Sequence, residues 1–161
     1  MDETTDHVAA LARHFIDLRD GSHDGAVTRR DKEIRFGEEA RLLAPFARQV
    51  LDELNDGLLL GSGTITETEP RACADGGVEV IWALSWPKQR NAKIPPVTLH
   101  AYYGAGFHHP HLRGATVGDW PLNVIDAADA EAQLPILRAI AAADLHNLVF
   151  RADYRIVPAV N

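Results

Sequence analysis

One segment constrains the fold more than any other. In Val78-Glu79-Val80-Ile81-Trp82-Ala83-Leu84-Ser85-Trp86 the largest apolar side chains fall at every second position. Successive side chains of an extended chain point to opposite faces, so Val78, Val80, Trp82, Leu84 and Trp86 share one side of a strand that Pro87 ends. The turn residues Cys73-Ala74-Asp75-Gly76-Gly77 precede it. Upstream, Leu58, Leu60, Ser62, Thr64, Thr66 and Thr68 repeat with the same period, in an extended segment that Gly61 and Gly63 weaken. Downstream, a polar loop with Lys88, Gln89, Arg90, Asn91 and Lys93 leads to Pro95-Pro96, which presets extended backbone for Val97 to Tyr103. Three consecutive strands predict an antiparallel β-meander.

Helical periods flank it. Val8, Leu11, Phe15 and Leu18 recur at three and four residues and predict a short amphipathic helix, capped by Thr5 or Asp6 and stopped by Asp20-Gly21-Ser22-His23-Asp24-Gly25. Leu42, Phe46, Val50 and Leu54 share a second helical face, with Glu38 and Glu39 near its start and Gly57 as its close. Leu134, Leu137, Ile140 and Ala141 predict a last helix, capped by Asp126 or Asp129, with Pro135 in its first turn. Tyr154 to Val157 reads as extended. The expected class is therefore α+β, an antiparallel meander flanked by helices, organised as an N-terminal helix and linker over 1–36 and one α+β domain over 37–161.

Composition narrows the function classes. The 161 residues fit one ordinary domain, and 46% hydrophobic residues supply a core. A net charge of −7 without a basic run longer than Arg29-Arg30 argues against nucleic acid as a partner. No apolar stretch approaches the roughly 20 residues of a bilayer span, so no membrane partner is expected. An acidic Met1-Asp2-Glu3-Thr4-Thr5-Asp6 start is unlike a secretion signal, and the expected location is the cytoplasm. The single cysteine, Cys73, makes no internal disulfide and no thiolate zinc site.

Several short motifs stand in a suggestive order: Gly76-Gly77-Val78, Trp86-Pro87, Pro95-Pro96-Val97, His109-Pro110-His111-Leu112 and Trp120-Pro121-Leu122. In that order and spacing, across residues 38–148, the chain resembles the ubiquitin-conjugating enzyme fold, shared with non-catalytic variants and RWD domains. The resemblance implies a UBC-like domain, but the chain departs from the family pattern at the chemistry. His111 stands where the family has Asn after His-Pro, three extra residues lengthen the segment before His109, and the family's nucleophilic cysteine position falls on Asp119. Asp forms no thioester. The resemblance thus implies a non-catalytic protein-interaction module, whose expected partner is another protein such as a ubiquitin-like modifier or its conjugation machinery.

The residues themselves leave an alternative. His100, His108, His109 and His111 crowd a dozen positions around the irregular stretch 107–122, where loops carry function. His109, His111 and Asp119 are the candidate catalytic residues, a histidine beside Asp119 being tuned for general acid–base work. Imidazoles also bind transition metals, but a His-x-His pair needs a third ligand, which Asp119 or His100 would have to supply. The plainer expectation is that His109 orders the loop by hydrogen-bonding backbone and that no cofactor or metal is held. Cys73, with Glu69 and Asp75 nearby, reads as an incidental thiol. Gly104-Ala105-Gly106 lacks the length and the Lys of a phosphate-binding loop.

Overall fold

The computed structural model describes the backbone of residues 3–161 and the side chains of 7–161. Two helices come first, α1 (Glu3–Asp20) and α2 (Arg29–Leu58). Six strands follow: β1 (Thr64–Glu67), β2 (Arg71–Ala72), β3 (Val78–Ser85), β4 (Val97–Tyr103), β5 (His111–Arg113) and β6 (Trp120–Pro121). A short helix α3 (Pro87–Asn91) lies between β3 and β4, and α4 (Ala127–Ala132) and α5 (Leu134–Arg151) follow the sheet. The strands form one antiparallel sheet in the order β1-β3-β4-β5-β6, with β2 extending the β1 edge along β3. The class is α+β, as the sequence periods predict. No helix among the described residues is long and apolar enough to cross a membrane.

The alternation in β3 does what its period dictates. Val80, Trp82 and Leu84 are buried and meet Val97, Leu99 and Ala101 of β4 across the register Val80↔Ala101, Trp82↔Leu99, Leu84↔Val97. Helices α2 and α5 cover this face through Phe36, Leu43, Val50, Leu51, Leu137 and Leu148, giving a two-layer core. Gly77 permits the close approach of the turn before β3 to β4, because a Cβ there would lie 2.2 Å from the Tyr103 carbonyl oxygen. The opposite sheet face is half-open and carries Glu79, His100, Tyr102 and Arg113.

Several boundaries differ from the sequence expectation, each for a local reason. Residues 29–36, expected as linker, form the first turns of α2, because Thr28 caps the helix by accepting from Asp31 N at 3.1 Å and Phe36 is buried. Gly57 does not end α2. The helix runs to Leu58, and the reversal falls on Leu59 to Gly61, with Gly61 at φ 74° and Leu59 fully buried. Leu58 and Leu60 are therefore not strand residues. The loop after Trp86 contains α3, started by Pro87 at its first position with Gln89 Oε1 accepting from Trp86 N at 3.1 Å. Tyr154 to Ile156 is a 3₁₀ turn, not a strand: Asp153 accepts from Arg155 N at 2.7 Å, and the indole N–H of Trp86 donates to Ile156 O at 2.7 Å. Helix α1 already begins at Glu3, ahead of Thr5 and Asp6, whose side chains lie outside the described residues.

A buried carboxylate on α5 ties the loop after β5 to the sheet. Asp144, fully buried, accepts from Thr98 N at 2.9 Å, Thr116 N at 2.7 Å and Thr116 Oγ1 at 2.6 Å. Gly114 packs so closely on it that a Cβ would stand 3.0 Å from Asp144 Cγ. Asp144→Ala strips two backbone N–H groups of their acceptor, so thermal unfolding is expected to show a loss of about 2 kcal/mol. A loss below about 0.5 kcal/mol would mean that water replaces the carboxylate without penalty.

Candidate metal centre

Four imidazoles remote in sequence meet beneath α1. The His14 ring lies 5.0 Å from that of His109 and 5.8 Å from that of His111, and His23 lies 5.4 Å from His109, all edge to face. His14, His23 and His109 are buried and His111 is half-buried.

Local chain chemistry puts each one there. His14 and Asp17 are three residues apart on α1 and so share a helical face. After α1, His23 and Ala26 exchange backbone hydrogen bonds of 2.8 and 2.9 Å around Asp24 (φ 49°) and Gly25 (φ 79°). Two positive φ angles at the centre of a two-residue loop make a type I′ turn, which Asp-Gly favours. The turn is held by an ion pair between Asp24 and Arg35, and it aims His23 inward to Glu39 of α2. Arg29 fastens the β4–β5 loop by donating to the carbonyls of Tyr103 (3.0 Å), Gly104 (3.0 Å) and Phe107 (3.2 Å), which delivers His109 to the same place.

Hydrogen bonding fixes which ring nitrogens remain available. His109 Nε2 lies 2.6 Å from the carbonyl oxygen of Ser22, which only accepts, so Nε2 carries the proton. His23 Nε2 faces the Glu39 carboxylate, whose other oxygen accepts from Val124 N at 2.8 Å. The Nδ1 atoms of His23 and His109 are both buried without a hydrogen-bond partner, and so is Nδ1 of His14. Asp17, His23 and His109 each offer a ligand atom within 4.8 Å of the others. Tetrahedral ligands about 2.1 Å from zinc stand about 3.4 Å apart, so these atoms reach an ion by movements of rotamer scale.

The electrostatics favour the neutral, metal-binding form of His14, His109 and His111. Burial first, then the neighbouring His109 and His111, pushes His14 down to about 4. His109 is lowered mainly by burial against the opposing pull of the Ser22 carbonyl, and His111 mainly by burial against Asp119 and the His109 carbonyl. Glu39 is pushed up by burial, with His23, Val124 N–H and Arg35 opposing. Neutral imidazole is the ligand state, and the buried Lys32 ammonium also lowers His109.

The residues singled out in the sequence are divided by the structure. His109 belongs to the buried cluster. His111 donates from Nδ1 to His109 O (2.9 Å) and turns its ring to Phe107 and Tyr102 as well as His14. Asp119 is exposed, takes the Tyr102 hydroxyl hydrogen bond, and lines an open polar cleft of about 460 Å³ with Thr98, His100 and Arg113. His100 stands on the open sheet face, 3.3 Å from Glu79. Neither Asp119 nor His100 comes to His109 as a third donor; the carboxylate within reach of His109 and His23 is that of Asp17. Cys73 is pushed up to about 11, by burial and then by its hydrogen bond to Asp75, which disfavours the thiolate.

Four members of the centre, His14, Asp17, His23 and Glu39, were not legible as site residues from spacing. The usable signals were the Asp24-Gly25 pair, which marks a tight turn delivering His23, and the His14/Asp17 spacing on one helix face. Compared with protein-family models, with curated proteins and with solved structures, the chain matches none, and its resemblance to the ubiquitin-conjugating enzyme fold rests on the sequence motifs alone.

Proposed function

We propose that the protein binds a divalent transition-metal ion through His23 Nδ1, His109 Nδ1 and Asp17, with His14 beside the site as a fourth donor. One observation carries the reading: both ligand histidines spend Nε2 on a carboxylate or a carbonyl and leave Nδ1 buried and unpartnered. That is how metal-ligating histidines are oriented by their outer partners, and an unpaired buried nitrogen is otherwise a penalty without return. A donor set of two or three imidazoles and one carboxylate suits zinc, iron, nickel or copper and not magnesium or calcium.

Protein purified without a histidine tag and loaded with zinc is expected to retain close to one ion per chain by elemental analysis. At zinc 100-fold above the dissociation constant, stabilisation of about 2.7 kcal/mol should raise the melting temperature by roughly 5–10 °C, reversed by chelator. His109→Ala should lose the ion, whereas His146→Ala, at an exposed position of α5, should keep it. Substoichiometric zinc in the wild type, or stoichiometric zinc unaffected by His109→Ala, refutes the reading in favour of a loop-ordering role for His109.

A second reading, a non-catalytic conjugating-enzyme-like module that docks another protein, is supported by an apolar groove of about 310 Å³ between α2 and α5, lined by Leu54, Leu58, Leu145 and Val149, at whose rim Phe150 is 84% exposed.

A further inference from the structure

Helix α1 faces the domain with its polar side. The apolar stripe Val8, Phe15 and Leu18, which sequence periodicity directs to a core, points outward at 62, 58 and 43% exposure, and Ile16 is 48% exposed. The inward positions are Ala10, Leu11, Arg13, His14 and Asp17, and among the described residues of α1 only His14 is buried. Burial of apolar surface normally seats an amphipathic helix, and here it works against the observed orientation.

Much of what holds the helix is polar. Arg13 donates to Asn123 O at 2.9 Å and pairs with Asp129 at 3.7 Å, both partly exposed, and an ion pair of that kind contributes little. Further links are the His7 edge contact to Trp120 (ring centroids 5.6 Å), the His14 edge contacts to His109 and His111 and the approach of Asp17 to His23 and His109. The three ligand residues belong to three different segments: Asp17 to α1, His23 to the type I′ turn and His109 to the β4–β5 loop.

We infer that the metal ion is the fastener of α1: coordination by Asp17 cross-links the helix to the turn and the loop, and metal loss releases it to turn over or leave the domain. This rests on the metal-binding reading above. It explains the inverted helix, because Asp17 and His14 reach the ion only when the apolar stripe faces outward. Metal occupancy thereby decides whether Val8, Phe15 and Leu18 are presented at the surface in a fixed orientation.

The test is amide hydrogen exchange on the full-length protein with saturating zinc and after chelation, with bound zinc measured on the same samples. Zinc is expected to slow exchange across residues 10–19 by about tenfold or more while the β3 and β4 amides change little, since a released helix exchanges by local opening. In the double variant His14→Leu/Asp17→Ala, at zinc concentrations that saturate the remaining His23 and His109, the slowing over residues 10–19 should vanish. Bound zinc with unchanged α1 exchange in the wild type overturns the fastener and leaves the metal centre standing. Zinc-dependent protection that persists in the double variant also overturns it. Absence of bound zinc in the wild type removes the metal centre and the fastener together.

Discussion

Glu39→Ala is expected to destabilise the protein by about 3–5 kcal/mol, a fall of roughly 6–20 °C in melting temperature. Glu39 is fully buried on α2, and its two oxygens hold His23 Nε2 and the backbone N–H of Val124. Burial makes its charge unfavourable, so a shape-matched apolar group satisfying neither donor is not automatically worse than the carboxylate itself. Alanine differs: it leaves a cavity and strands His23 Nε2 and Val124 N–H at once, and stranded buried donors carry their full desolvation penalty. Glu39→Gln keeps the volume and one acceptor and should lose clearly less. Because Glu39 orients His23, both variants should also weaken zinc binding, by about 10–100-fold. Thermal denaturation of the metal-free chain and zinc titration of the folded variants measure the two effects separately. If Glu39→Ala costs less than about 1 kcal/mol, the carboxylate is not the anchor of the His23 turn.

Part of this arrangement is written in local sequence and part is not. The β3 alternation determines the core because a strand with Val80, Trp82 and Leu84 on one face has one way to bury them, and the structure buries all three. Pro87, Pro95 and Pro135 act where they stand, through fixed backbone geometry. The outward face of α1 is the instructive failure. Val8, Leu11, Phe15 and Leu18 have the period of a core-facing helix, yet with Arg13, His14 and Asp17 making the tertiary contacts, Val8, Phe15 and Leu18 stand in solvent and only Leu11 is half-buried. Periodicity reports which residues share a face and leaves open which face is inward when the polar side carries its own partners. The site follows the same logic. His109 was visible as one of a run of histidines, but Asp17, His23 and Glu39 join it across separations of 70 to 92 residues, and pairwise spacing within one element carries no information about such contacts.

The metal-free protein is expected to lose stability steeply as the pH falls from 6.5 to about 4, by about 3 kcal/mol from His14 alone. His14 ionises near 6.5 in an unfolded chain and only at about 4 in the folded one, where burial and the facing His109 and His111 oppose its charge. Between those two values the unfolded state binds a proton that the folded state refuses, so unfolding takes up protons and stability rises with pH. The contribution is fully present above pH 6.5 and is lost through that window. His109, His111 and His100 are shifted in the same direction, mainly by burial, and steepen the loss. Urea denaturation at several pH values in the presence of chelator gives the slope of stability against pH. His14→Leu removes one of the protonating groups with an apolar side chain of similar volume, so its slope between pH 6.5 and 4 should be shallower by up to one proton. Equal slopes for wild type and His14→Leu would show that His14 takes up its proton in the folded protein as easily as in the unfolded chain. The packing of α1 over His109 and His111 would then be too loose to exclude a charge.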